Sequence, residues 1–177
     1  MRITAYLSRP RIFIMEIINL QTIIECFDTP TELTADEQSL LNAATEALSH
    51  AYAPYSRFRV GAALLLENGV VVKGNNQENA AYPSGLCAER VGIFYAGANY
   101  PGVSVNKIAI TAASMDFSSD HPVAPCGACR QSLLEYELNQ GKPIIIIMKG
   151  TNGKTYRSAG VRQLLPLFFH EDGLKSK

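Results

Sequence analysis

Three thiols and one carboxylate fall within two short segments, Cys87-Ala88-Glu89-Arg90 and Pro125-Cys126-Gly127-Ala128-Cys129-Arg130-Gln131. Three deprotonated cysteines can fill three corners of a tetrahedron around one zinc ion and leave the fourth for water. Glu89, two residues beyond the first thiol, can reach that water without binding the metal. An open corner implies chemistry, whereas a structural site takes a fourth protein ligand. Cys26 lies far upstream in a polar segment and is expected to be a small buried hydrophobe. None of His50, His121 and His170 stands at ligand spacing from another ligand.

A Cys-x-x-Cys pair by itself is equally compatible with a structural clasp or a redox couple. Joined to Cys-x-Glu, with the proline in register, it matches the pattern of zinc deaminases that act on cytosine or adenine. Three thiolates also donate enough charge to weaken a Lewis acid, so some group must draw that charge back. Arg90 follows the glutamate, and its fork of donors is placed to hydrogen-bond a ligand sulfur from outside the coordination sphere. Arg130 has the weaker case and is expected to be a solvated helix arginine.

Both ligand segments must be carried where a loop enters a helix, because a helix N-terminus has unpaired N–H groups and partial positive charge that favour thiolates. The patterning supplies such helices. Thr34-Ala35-Asp36-Glu37 is a capping box, and Leu40, Leu41, Ala44, Leu48 and Tyr52 recur at helical spacing, which predicts a helix over about 35–52, stopped by Pro54. Helical patterns also cover 87–98 and 126–139. Strand-like runs occupy 59–67 and 70–74 around the hairpin signal Asn68-Gly69, then 107–113, 143–149 and, more weakly, 154–157. Ile144-Ile145-Ile146-Ile147 is uniform enough to be buried on both faces. This alternation predicts one α/β domain, a mixed five-stranded sheet with helices on its faces and no internal repeat.

Composition bounds the partners. At 177 residues and 47% hydrophobic the chain can bury one ordinary core, and 16 basic against 16 acidic residues give no net field to recruit a polyanion. A small neutral substrate fits this balance, and no nucleic-acid partner is expected. No apolar run approaches the roughly eighteen residues of a membrane span, and zinc-type cysteine spacing suits a reducing cytoplasm. Residues 1–30 read as an N-terminal extension of uncertain role, with 31–177 as the domain. The early apolar stretch is broken by Ser8-Arg9-Pro10-Arg11 and lacks a cleavage pattern, so it does not read as a secretory signal. Translation from Met15 is an equal alternative for this region.

Further segments stand in a telling order: Tyr55-Ser56-Arg57-Phe58-Arg59-Val60-Gly61-Ala62-Ala63, then Gly74-Asn75-Asn76-Gln77-Glu78-Asn79-Ala80, Tyr82-Pro83, the two cysteine motifs, and Leu164-Leu165-Pro166. Over about residues 34–175 the chain resembles the small homotetrameric, zinc-dependent cytidine deaminases. The resemblance implies a three-layer α/β/α cytidine-deaminase-like fold. It also implies hydrolysis of cytidine and 2′-deoxycytidine to uridine and 2′-deoxyuridine with release of ammonia, a step of pyrimidine salvage. One Zn²⁺ per chain would be held by Cys87, Cys126 and Cys129, with Glu89 as proton shuttle. Asn76 and Glu78 would hydrogen-bond the ribose, Phe58 would stack on the pyrimidine, and the Ala88 backbone N–H would meet the base carbonyl. Phe169 would reach a neighbouring subunit's site. The chain departs from the family in placing two adjacent aromatics, Phe168 and Phe169, after the Leu-Leu-Pro stretch, and in having Ala81 before the tyrosine.

Three other readings share part of the signal. A deaminase of single-stranded nucleic acid would need a basic groove and aromatic platforms, which the balanced charge and short loops do not supply. A blasticidin-type deaminase also resembles the two cysteine motifs. A zinc-stabilised binding module has no use for Glu89.

Overall fold

The computed structural model describes residues 15–116, 118 and 121–170. Residues 1–14, the first part of the N-terminal extension read from the sequence, lie outside them.

The capping box forms as expected. Thr34 is the N-cap of α1 (Ala35–Leu48), and its backbone N–H donates to Glu37 Oε2 at 3.1 Å. Leu40, Leu41, Ala44 and Ala47 are the buried apolar positions of this helix. The helix ends at Leu48 rather than near 52. Tyr52 is used elsewhere: its N–H donates to Asn76 O and its carbonyl accepts from Glu78 N, a bridge that no helical residue could make.

Asn68-Gly69 does make the hairpin between β2 (Phe58–Leu66) and β3 (Val71–Asn75), with Gly69 at φ 84°, a left-handed conformation that glycine adopts without strain. Beyond it come α2 (Ala88–Asn99), β4 (Val105–Ser114), α3 (Gly127–Gln140), β5 (Ile145–Lys149), β6 (Thr155–Ser158) and a short α4 (Val161–Leu164).

The sheet has six strands rather than five. Its order is β1-β6-β5-β4-β2-β3, with β4 and β5 parallel and every other neighbouring pair antiparallel. The added strand, β1 (Glu25–Phe27), pairs with β6 in the register Glu25 to Arg157 and Phe27 to Thr155. It draws part of residues 1–30 into the sheet, and Thr22 Oγ1 and Ile23 N also hydrogen-bond Gln163. Cys26 is exposed on this edge strand, not buried.

The layers follow from two apolar faces. Leu64, Ile93, Ile108, Ile110, Leu133, Leu134, Ile146 and Met148 pack on the side covered by α2 and α3, while Leu40, Leu41, Ala44, Ala63, Ala109 and Ile147 pack under α1. The isoleucine run therefore divides between the faces, as a central strand demands. Each such fully buried aliphatic side chain is worth roughly 1.5–3 kcal/mol of transfer free energy.

One contact bears directly on the site. A Cβ built on Gly74 of β3 would lie 2.3 Å from Ala88 O and 2.7 Å from Gly92 N. The first turn of α2 thus touches β3 through backbone alone, a separation that only glycine permits.

Candidate active site

Two helices begin at cysteines. Cys87 is the N-cap of α2 and Cys126 the N-cap of α3, both with extended backbone, and Cys129 is the third residue of α3. Paired hydrogen bonds between Gln77 and Leu86, each 2.9 Å, pin the residue before Cys87 to the segment leaving β3. The loop before α3 delivers Cys126 directly after Pro125.

All three sulfur atoms lie within 4.8 Å of one another. The Cys87–Cys126 separation is 3.9 Å and the Cys126–Cys129 separation 3.5 Å. A tetrahedron with metal–sulfur bonds of about 2.3 Å has edges of roughly 3.8 Å, so the trio fits zinc. Among the described residues this is the one cluster of three or more cysteine, histidine or acidic side chains with metal-binding spacing. Arg90 Nη2 stands 3.6 Å from Cys87 Sγ, while Arg90 Nε is buried without a hydrogen-bond partner. Arg90 thus contacts the sulfur of Cys87, the first of the three clustered cysteines.

The trio is electrostatically unequal. The Cys129 thiol donates to Cys87 and, together with the Arg90 guanidinium, holds the Cys87 thiol well below its ordinary range despite burial. Cys129 is correspondingly pushed up by that same hydrogen bond, by burial and by the Glu89 charge. Glu89 is only 4% exposed, and burial raises its carboxyl above the usual range; its own backbone N–H opposes the shift and the charge at Cys87 reinforces it. A buried carboxyl whose surroundings favour its protonated form thus stands beside the three clustered thiols.

A cavity of about 580 Å³ opens over this centre. Cys87, Cys126, Glu89 and Arg90 contribute to its wall, as do Phe58, Asn76 and Glu78 from the opposite side. Ala88 is buried behind it as the first residue of α2, where a backbone N–H has no intrahelical acceptor. Phe169 is 71% exposed and does not line its own chain's cavity.

Asn76 and Glu78 also hold the protein itself. Asn76 Oδ1 accepts from Val60 N at 2.7 Å, and its Nδ2 donates to Phe58 O at 3.0 Å. Glu78 accepts from the Ser56 hydroxyl and from the backbone N–H groups of Tyr55 and Ser56, and these donors hold its carboxyl below the usual range. Ser56 Oγ in turn accepts from Phe58 N at 3.0 Å. The backbone around Phe58 is therefore clamped on both sides.

Sequence reasoning singled out neither Ser56 nor the walls formed by Tyr55, Tyr82, Leu86, Val123 and Ala124. Tyr55, Ser56 and Tyr82 stand inside the motif segments, which was the available signal; Val123 and Ala124 carry none. Arg130 is not a solvated helix arginine. Its guanidinium is half-buried and donates to Pro125 O and Leu164 O at 2.8 and 2.7 Å.

Comparison with known proteins agrees with this frame. Residues 34–142 match the family described as the cytidine and deoxycytidylate deaminase zinc-binding region. A cytidine deaminase from Sporosarcina psychrophila is 39% identical over 141 residues, spanning 78% of this chain and 95% of the relative. One from Halalkalibacterium halodurans is 44% identical over 100 residues, spanning 56% and 71% respectively. The crystal structure of a cytidine deaminase from Burkholderia pseudomallei superposes with a TM-score of 0.66 at 37% identity, covering 77% of this chain and all of that one. A Mycobacterium tuberculosis cytidine deaminase gives 0.60 at 33% identity, covering 78% of this chain. Fold and site thus define a layered α/β deaminase enzyme. The chain belongs to the cytidine and deoxycytidylate deaminase family.

Proposed function

We propose that the protein hydrolyses cytidine and 2′-deoxycytidine to uridine and 2′-deoxyuridine with release of ammonia, in pyrimidine salvage in the cytoplasm. The observation that carries this reading is the buried Glu89 beside three clustered thiols, in the wall of a cavity that also holds Phe58.

Cys87, Cys126 and Cys129 would hold one Zn²⁺ per chain. When bound, the metal supplies a water acidic enough to attack C4 of the pyrimidine. Glu89 accepts the first proton of that water and passes it to N3, then takes the proton of the hydroxyl now on C4 and delivers it to the 4-amino group, whose bond to C4 breaks as the C4 carbonyl forms and ammonia leaves. Its raised carboxyl pKa suits both directions of transfer. Arg90 offsets thiolate charge through its contact with Cys87. Ala88 offers its backbone N–H to the base carbonyl, and Phe58 stacks on the ring.

Glu78, kept ionised by Ser56 and the neighbouring N–H groups, can only accept, so it selects a hydroxyl donor such as those of the sugar. Asn76 recognises the sugar beside it. A free base would leave these groups unpaired and should be a poor substrate. Arg90 is the single cation lining the cavity among the described residues, and its engagement with Cys87 leaves little to bind a phosphate.

Phe169 would close the cavity of a neighbouring chain in a homotetramer, so that each site is complete only on assembly. The catalytic domain would extend upstream of residue 31 through the β1 strand. No helix among the described residues is long and apolar enough to cross a membrane, and no membrane or nucleic-acid partner is part of this proposal.

The test combines zinc analysis of the purified protein with ultraviolet assay of cytidine, 2′-deoxycytidine, cytidine monophosphate, cytosine and a cytosine-containing oligonucleotide. One zinc per chain and turnover of the two nucleosides alone are expected. Equal turnover of the monophosphate or oligonucleotide, or none of cytidine by zinc-loaded protein, would overturn the substrate assignment.

A further inference from the structure

Helix α3 carries more than two cysteines. Arg130 Nε donates to Pro125 O at 2.8 Å, and Arg130 Nη1 donates to Leu164 O at 2.7 Å. Next to it, Gln131 Nε2 donates to Phe169 O at 3.2 Å. Seven residues after Arg130, on the same face of the helix, Glu137 is 6% exposed and accepts from Val161 N at 2.7 Å and Arg162 N at 3.3 Å. Glu137 therefore holds the start of α4, Arg130 its end, and Gln131 the backbone at Phe169.

The side chains beyond α4 are treated differently from their backbone. Phe168 packs against the main core with the Arg162 guanidinium 5.7 Å above its ring, whereas Phe169 points into solvent. An exposed phenylalanine on a backbone held at Leu164 and again at its own carbonyl is presented rather than frayed. The same guanidinium that holds Leu164 holds the carbonyl immediately before the ligand Cys126. A planar fork with fixed donor directions sets the relative placement of two acceptors, which a flexible ammonium cannot do.

We propose that Arg130 is a positioning residue that serves two parts of the site at once. Through Pro125 O it fixes the turn that delivers Cys126 to the metal, and through Leu164 O it fixes the segment that presents Phe169 to a second copy of this chain. The second role rests on the proposed closure of a neighbouring cavity by Phe169; the first does not.

The test uses the zinc-loaded full chain and two readouts, the rate of zinc extraction by a chromophoric chelator and the separate kcat and KM for cytidine. Arg130→Gln should speed extraction about tenfold, the scale of one lost charge-assisted hydrogen bond, and raise KM several-fold. Gln131→Ala, which releases only the distal anchor, should raise KM and leave extraction unchanged. Arg130→Lys keeps the charge but not the fork, and should depart from the wild-type rate in at least one readout; it serves as the same test if the glutamine variant does not fold. Wild-type extraction in the Arg130 variants, or equal acceleration in Gln131→Ala, would overturn the role at the metal turn. Unchanged KM in Phe169→Ala would overturn the closure reading and the second role with it, whatever the chelator shows.

Discussion

Glu37 and Glu89 both sit in the first turn of a helix and are nearly equally hidden, 1% and 4% exposed, yet their carboxyls are pushed in opposite directions. Burial by itself would raise Glu37, but the Thr34 N–H and hydroxyl and the Lys107 ammonium outweigh it and leave the carboxyl below its usual range. Arg157 Nη1 adds contacts at 3.1 and 3.2 Å while its other nitrogens bind Glu25, and its guanidinium lies 5.0 Å over the Phe27 ring. Glu89 has no cation hydrogen-bonded to its carboxylate; its own N–H, the Cys129 thiol and the more distant Arg90 charge are outweighed by burial and the Cys87 charge. The same residue type, similarly hidden from solvent, is favoured as an anion where donors converge and favoured in its protonated form where they do not, the setting that the proposed proton-carrying role of Glu89 needs.

Exchanging each carboxylate for its amide tests that contrast most sharply. Glu89→Gln should lower kcat at least about a hundredfold, because an acid–base group typically contributes 10²–10⁴ in rate. Zinc content and fold should persist, and normal turnover by the zinc-loaded variant would remove Glu89 from the reaction. Glu37→Gln should do the reverse. It removes one of the two anions of Arg157 and of Lys107, which keep Glu25 and Asp36, and urea unfolding should show a loss of about 2 kcal/mol, the scale of losing charge-assisted hydrogen bonds. Its kcat per folded molecule should be unchanged.

The pH dependence should separate the two again. Stability linked to the lowered carboxyls of Glu37, Glu25 and Asp36, the last held at about 2 by Lys107 and Thr34, is complete above their unfolded values of about 4 and lost as pH falls through the folded ones. Glu37→Gln should therefore flatten the acid limb of a stability profile. Glu89 carries the opposite sign: its raised carboxyl costs the metal-free fold stability at neutral pH. Glu89→Gln should thus raise the metal-free thermal midpoint at pH 7, a gain that vanishes as pH falls through the folded and then the unfolded value. Melting curves from pH 3 to 8 would show it, and a gain that grew on acidification would reverse the assignment.

Two smaller effects follow. Arg90→Gln should keep zinc but lower kcat several-fold and shift the acidic limb of the pH–rate profile upward, whereas an unchanged profile would reduce its contact with Cys87 to packing. Deleting residues 1–14 should alter neither zinc content nor turnover. Deleting 1–28 also removes β1, Glu25 and the Phe27 ring, and should lower the urea midpoint; equal midpoints for the two truncations would make the sixth strand energetically idle.

What could be read in advance was local. Cys87, Glu89, Cys126 and Cys129 declare themselves by spacing, and Thr34 to Glu37 and Asn68-Gly69 encode a cap and a turn within four residues. The unread parts depend on distant partners. Glu25-Cys26-Phe27 has no strand pattern of its own and becomes a strand because β6 offers an edge and Arg157 reaches across to it. Arg130 finds an acceptor 34 positions away, and α1 stops early because Tyr52 is claimed by residues 76 and 78. Asn76 and Glu78 are marked as ribose contacts only by the family resemblance, and their service to the backbone around Phe58 requires the folded turn.

The contact between Gly74 and the start of α2 bears on mutational tolerance. Most helix-to-sheet distances are set by side-chain volume and drift when a core residue is exchanged, but this one is set by main-chain atoms in direct contact. Errors elsewhere in the core, such as Leu133→Ala, would then erode stability by about 2–5 kcal/mol while scarcely displacing Glu89 from the cavity. A single methyl at Gly74 would do the opposite, driving the start of α2, and Glu89 with it, outward. Tolerance of substitution should thus be uneven: wide in the apolar interior, and narrow at Gly74 and likewise at Gly61, where an added Cβ would run into helix backbone.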